Sequence, residues 1–423
     1  MESRTKKIPR SDTVKKYADT IETLSVRVRR WITEQDETPD ADGIRERVED
    51  EFFKAEVPPE MDVRDVRIII DSIYDRVSSK YGILSRLLED GSINEIMVNG
   101  PQTIFVEQNR ELVRVDDAFI SDTELEEVIR MFASDVHREI NEANPIVDAR
   151  LPSGFRVNGV LKTVALNGPI LTIRKFREKE ISMEELVETG SLSGQCADDL
   201  SALVRSGYNI FISGGTSSGK TTFLNALTAY IGSDERVIII EDSAELMITH
   251  LDNKVQMECR AANSIGKGEV TMERLIRTSL RMRPDRIIVG EVRGKEVVDM
   301  IQAMNTGHDG SMSTGHGNSI KGMLNRLETM YLMDAQASVD SVRNQIANAI
   351  DIFVHLKRDA NGRRGVEEVA ELVSYDGENY SINYLYKADS NRILQPTGNG
   401  LIDRERLIRA GYRAVLRGRD VHD

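Results

Sequence analysis

The sequence predicts an α/β protein with a parallel-sheet core in its carboxy-terminal half, preceded by a smaller α+β domain and a helical amino-terminal segment. Three observations carry this. From Gly207 onward, apolar β-type runs alternate with helical patterns, as βαβ units do. One such unit encloses a glycine-rich loop between strand and helix. Before Gly91 the apolar residues show helical spacing only, and between Gly91 and residue 175 the chain breaks into short strands with turn signals.

The 423 residues have room for two or three domains. Residues 1–11 read as a disordered tail. Val14, Tyr17, Ile21, Leu24, Val28 and Trp31 recur at steps of three and four, which predicts a helix over 12–32. A second helix is expected over 41–55, stopped by Pro58-Pro59, and a third over 63–88. Together 12–90 forms a helical segment. In 91–175, strands are expected at 93–98, 103–107, 112–115, 147–151, 155–160, 162–166 and 170–174, with a helix at 122–139. The charged run from Lys175 to Glu180 reads as a linker. A third domain, 176–423, opens with that linker and a first helix (176–190). Its core strands are expected at 209–213, 237–240, 286–290, 311–314 and 351–356. Antiparallel strands at 368–375 and 380–386 and a helix at 404–416 follow.

The chemistry concentrates in this third domain. Gly214-Gly215-Thr216-Ser217-Ser218-Gly219-Lys220-Thr221-Thr222 matches G-x-x-x-x-G-K-[ST] between an apolar run and an amphipathic stretch. Glycines let backbone N–H groups approach phosphate oxygens, and the helix start adds partial positive charge. Lys220 would reach the β- and γ-phosphates and Thr221 would ligate Mg²⁺. The chain is therefore expected to bind a nucleoside triphosphate.

Two acidic strand ends accompany the loop. The run 237–240 ends in Glu241-Asp242, with Glu245 just after, and 286–290 ends in Glu291. Carboxylates at the carboxyl ends of core strands sit beside the phosphate loop in a doubly wound sheet. One of the first set could polarise the attacking water. Glu291, in a Walker B-like position, could hold Mg²⁺ or activate the nucleophile. His308 and His316 then stand eight apart in a glycine-rich stretch. His316 could sense the γ-phosphate and His308 could bridge to a neighbour. A metal site is the weaker reading, since no third ligand has the spacing. Arg150, Arg156 and Arg174 lie in the preceding domain, where a positive charge could couple the γ-phosphate to domain closure. Arg281, Arg283, Arg286 and Arg293 cluster around the second acidic strand.

These four elements, in this order, resemble the secretion-ATPase superfamily of type II and type IV secretion, pilus assembly and archaellum motors. The strings Leu280-Arg281-Met282-Arg283-Pro284-Asp285-Arg286, Gly290-Glu291-Val292-Arg293-Gly294 and Ala303-Met304-Asn305-Thr306-Gly307-His308-Asp309-Gly310 are similar to the CpaF family of Tad pilus ATPases, as is Val147-Asp148-Ala149-Arg150-Leu151-Pro152. The resemblance implies a RecA-like ATPase domain, a PAS-like domain before it, ATP and Mg²⁺ as cofactors, and a homohexamer. It implies Glu241 as the water-activating residue, Glu291 as the Walker B residue, and Arg150, Arg156 and Arg174 as residues reaching the nucleotide. It also implies an inner-membrane platform protein as partner, at the cytoplasmic face. Many members have Ala where Gly317 follows the second histidine. Two cysteines cannot supply the four-cysteine zinc insert of the pilus-extension branch, which favours the CpaF-like or conjugation branch.

Bulk properties agree. With 56 Lys+Arg against 70 Asp+Glu, the net charge of −14 argues against stable nucleic-acid binding, as a RecA-type nucleic-acid motor would require. Two cysteines fit a reducing compartment. No apolar run reaches 18 residues, so direct membrane insertion is not expected. A guanine-reading Asn-Lys-x-Asp is lacking, since Asn253-Lys254-Val255-Gln256 has no acid.

Overall fold

The computed structural model describes residues 10–35, 37, 39–55, 61–108, 111–175, 181–260, 262, 267–334, 336–359 and 362–418. The predicted tail therefore lies outside the described residues except for Arg10 and Ser11, and so does the predicted linker over 175–180 except for Lys175. The chain divides into two compact units, Met1–Glu178 and Lys179–Asp423.

The first unit begins with four helices, α1 (Arg10–Lys16), α2 (Ala18–Thr33), α3 (Ala41–Lys54) and α4 (Val63–Ser78). Asp40 and Asp62 cap α3 and α4 by accepting backbone N–H bonds. Val14, Ile21, Val28, Val48, Phe52 and Ile73 meet in the bundle core. The predicted helix over 12–32 is broken at Tyr17, and the one over 63–88 stops at Ser79, which is extended. A 3₁₀ turn and α5 (Ser85–Glu89) follow.

The rest of the unit holds β1 (Ile93–Asn99), β2 (Ile104–Gln108), β3 (Glu111–Arg114), α6 (Asp122–Asp135), β4 (Ile146–Arg150), β5 (Arg156–Val160) and β6 (Ile170–Arg174). The sheet order is β3-β2-β1-β6-β5-β4, and each pairing is antiparallel. α6 covers the sheet through Leu125, Val128, Ile129 and Phe132. The stretch expected as a strand at 162–166 is a turn. β5 pairs β6 directly, with Val160 opposite Ile170, so the residues between them can only connect the two. The helices are fastened to this layer: buried Arg76 of α4 pairs with Glu124 of α6 at 2.7 Å and donates to the Ala118 carbonyl at 2.8 Å.

The second unit runs α7 (Met183–Glu188), α8 (Gly194–Arg205), β7 (Ile210–Gly214), α9 (Lys220–Thr228), β8 (Val237–Glu241), β9 (Lys254–Glu258), α10 (Met272–Ser279), β10 (Arg286–Val292), α11 (Val297–Asn305), β11 (Met312–His316), α12 (Ile320–Leu332), α13 (Val339–Ala349), β12 (Ile352–Arg358), β13 (Arg364–Tyr375), β14 (Tyr380–Ala388), β15 (Leu394–Pro396) and α14 (Glu405–Arg409). The sheet order is β15-β14-β13-β12-β7-β11-β10-β8-β9. The six strands from β12 to β9 are parallel; β13, β14 and β15 add antiparallel pairings. β7 and β8 are buried along their whole length, as strands covered on both faces must be. Two apolar clusters fill those faces. The helix expected over 404–416 is only the short α14. β9 was not expected, because its edge position mixes charged and apolar residues.

Candidate nucleotide site

β7 delivers the chain into a loop that turns at Ser217 and Gly219, with φ of +57° and +97°, and restarts as α9 at Lys220. A Cβ on Gly214 would stand 2.5 Å from Ser218 Oγ and 2.6 Å from the Leu356 carbonyl, so only glycine lets the loop fold this tightly over β12. The start of α9 has no side-chain cap, whereas α8, α10, α12 and α13 are each capped by Ser or Thr. Its first N–H groups are left for an anion. The Ser218 hydroxyl is buried without a hydrogen-bond partner among the described residues. These features fit a triphosphate group.

Lys220 is buried, 7% exposed. Its Nζ donates to the carbonyls of Gly214 and Gly215 at 3.3 and 3.2 Å and lies 3.2 Å from His316 Nδ1. The far side of that ring, Nε2, is 2.9 Å from Glu291 Oε1. The parallel pairing explains the meeting, since His316 is opposite Gly214. Nδ1 of a neutral imidazole accepts from Lys220, while Nε2 lies beside the Glu291 carboxylate at ion-pair distance, so the ring stands between a cation and a carboxylate. Burial and the Lys220 charge hold His316 below the ordinary histidine range, consistent with that form. Burial also pushes Lys220 below the ordinary lysine range, against the pull of Glu291. Arg293 extends the chain, 3.0 Å from Glu291 and 3.7 Å from Asp242.

Glu241 is buried at the end of β8. Its Oε1 accepts N–H bonds from Glu245 and Leu246 at 2.8 and 2.9 Å, and its Cγ would lie 3.0 Å from a Cβ on Gly290. Thr221 and Thr222 open the first turn of α9. Among the described residues no group of three or more His, Cys, Asp or Glu stands ready to hold a metal.

The structure does not bring His308 here. It precedes β11, at the amino end of the strands, where Nδ1 is 3.1 Å from the Ala303 carbonyl. The five residues of β11 alone put about 13 Å between it and the loop end. Arg286 is also at that end, buried against Glu235 and the Val204 carbonyl, so it is a structural cation. In the first unit Arg150, Arg156 and Arg174 form a row: Arg150 is opposite Arg156, and Arg156 is opposite Arg174. The row continues as Glu95 and Glu107. Arg156 also pairs with Asp148 at 2.9 Å. Sequence reasoning assigned no role to two further neighbours of the loop, Arg364, whose Cδ is 3.8 Å from a Cβ built on Gly219, and His355; neither stands in a motif.

Residues 78–389 match the family described as type II/IV secretion system protein. The conjugal transfer protein TrbB of Rhizobium radiobacter is 34% identical over 328 residues, covering 76% of this chain and 94% of its own. The type IV secretion system protein VirB11 of Bartonella henselae is 29% identical over 344 residues, covering 72% and 96%. Among solved structures, the pilus retraction motor PilT with bound ADP aligns with a TM-score of 0.52 at 20% identity, covering 73% of this chain and 84% of that one. The last likeness is one of fold, and the fold is RecA-like.

Proposed function

The chain belongs to the type II/IV secretion system protein family and is an ATPase; on that premise we propose that it is a Mg²⁺-dependent motor driving pilus assembly or secretion. The observation that carries the chemistry is the contact of Lys220, His316 and Glu291 beside an uncapped helix start. ATP supplies the transferable γ-phosphoryl group. Lys220 and the loop N–H groups hold its phosphates, Thr221 and Glu291 hold the metal, Glu241 orients the attacking water, and His316 reports the γ-phosphate to Glu291. A further assignment concerns the arginine row. What supports it is the likeness of Val147-Asp148-Ala149-Arg150-Leu151-Pro152 to the family's first-domain string. We assign Arg150, Arg156 and Arg174 to contacts with the nucleotide.

Within the family, the motif strings favour a Tad-type pilus motor and the likeness to TrbB favours a conjugation motor. Recovery of a pilin or of a conjugation complex with the tagged protein separates the two. The ATPase itself is tested by phosphate release from purified protein with and without Mg²⁺. Lys220→Ala is expected to weaken ATP binding about a hundredfold, equivalent to two charge-assisted hydrogen bonds of roughly 1.5 kcal/mol each. Glu291→Gln is expected to bind ATP and lose turnover. Full turnover by Glu291→Gln rejects its assigned role.

A further inference from the structure

His355 lies in β12 among Phe353, Val354 and Leu356, and is only 3% exposed. Its Nδ1 is 2.9 Å from the hydroxyl of Ser213, which is fully buried. The backbone of Asn318 is near enough to the ring to favour its charged form. Register places His355 opposite Ser213, and Ser213 opposite Gly315 of β11. Ser213 immediately precedes Gly214, and Asn318 stands two residues beyond His316. One imidazole in a third strand is thus bonded to the segment that carries Lys220 and lies beside the segment that carries His316.

Packing alone does not explain this residue. Every other residue of β12 from Ile352 to Leu356 is apolar and buried, and an apolar ring would fill the place without the cost of a buried polar pair. A neutral imidazole has one N–H and one lone pair. Used together, they set the spacing between a strand end and a loop, which apolar packing does not fix.

We propose that His355 is a positioning residue for ATP hydrolysis, holding the phosphate-loop strand and the His316 segment at the separation their 3.2 Å contact requires. It acts through Ser213 and Asn318. The inference rests on the ATPase reading above.

The test compares full-length wild type, Ser213→Ala, His355→Phe and His355→Asn by Mg·ATP turnover, affinity for a fluorescent ATP analogue, and Tm. Ser213→Ala and His355→Phe are expected to lower kcat about tenfold, the size of a modest misplacement, with affinity within about threefold of wild type. His355→Asn, whose amide still accepts from Ser213, is expected to recover part of the loss. A merely structural role lowers Tm and leaves the kcat of the folded protein unmoved. Should His355→Phe fail to fold, the gentler Ser213→Ala and His355→Asn decide. A kcat within twofold of wild type in Ser213→Ala and in every His355 variant that folds overturns the inference and leaves the ATPase reading standing. No turnover by wild type overturns both.

Discussion

Two histidines set the residue-scale behaviour of this site. Burial holds His316 and His355 below the ordinary value of 6.5, so the unfolded chain takes up protons that the folded chain refuses. Their contribution to stability is complete above pH 6.5 and is withdrawn as pH falls below it. Tm is expected to be flat between pH 8 and 7 and to fall beneath 6.5, and His316→Gln should remove its share of that slope. An equal slope in the variant rejects the assignment. The residues that meet here were legible where a motif named them: Gly214 to Thr222, Glu241, Glu291 and His316 all converge on the carboxyl ends of the strands. His308 was not, because distance along a glycine-rich stretch does not reveal that a whole strand intervenes. His355 carried no signal at all, since a lone histidine in an apolar strand reads as core.

At the scale of elements, the site depends on how closely β8 and β10 approach. Gly290 of β10 leaves the space that Glu241 occupies. Gly290→Ala is expected to push that carboxylate aside, cutting turnover at least tenfold while ATP affinity stays near wild type. Unchanged kcat would show that the Glu241 position is tolerant. The core strands were readable because burial on both faces writes continuous apolar runs, as in Val237-Ile238-Ile239-Ile240. The stretch 162–166 misled for a related reason. Val164 and Leu166 are β-type residues, yet both are exposed in a connection that has no partner strand. Helix breaks were poorly readable too. The apolar spacing runs on through Tyr17 and past Ser79, and only backbone geometry shows the stops.

For the whole molecule, a motor that works on a central partner needs several copies, and we expect a homohexamer with a non-hydrolysable ATP analogue. Native mass at micromolar concentration should show six chains of 47.6 kDa; a monomer under those conditions counts against the motor. The helical segment is no detachable appendage, because removing α4 leaves Glu124 without its buried arginine. The strand order has a last consequence, in the timing of synthesis. β7 is flanked by β11 and β12, which leave the ribosome roughly 100 and 140 residues after it, whereas β8 and β9 are made close together. The glycine-rich loop is therefore translated early and given its walls late, a delay typical of long-range parallel pairing. A chain halted at residue 300 should ignore a fluorescent ATP analogue that a chain reaching residue 418 binds. During that interval nucleotide cannot help the nascent protein fold, and the exposed Ile210-Phe211-Ile212 run must be shielded by other means.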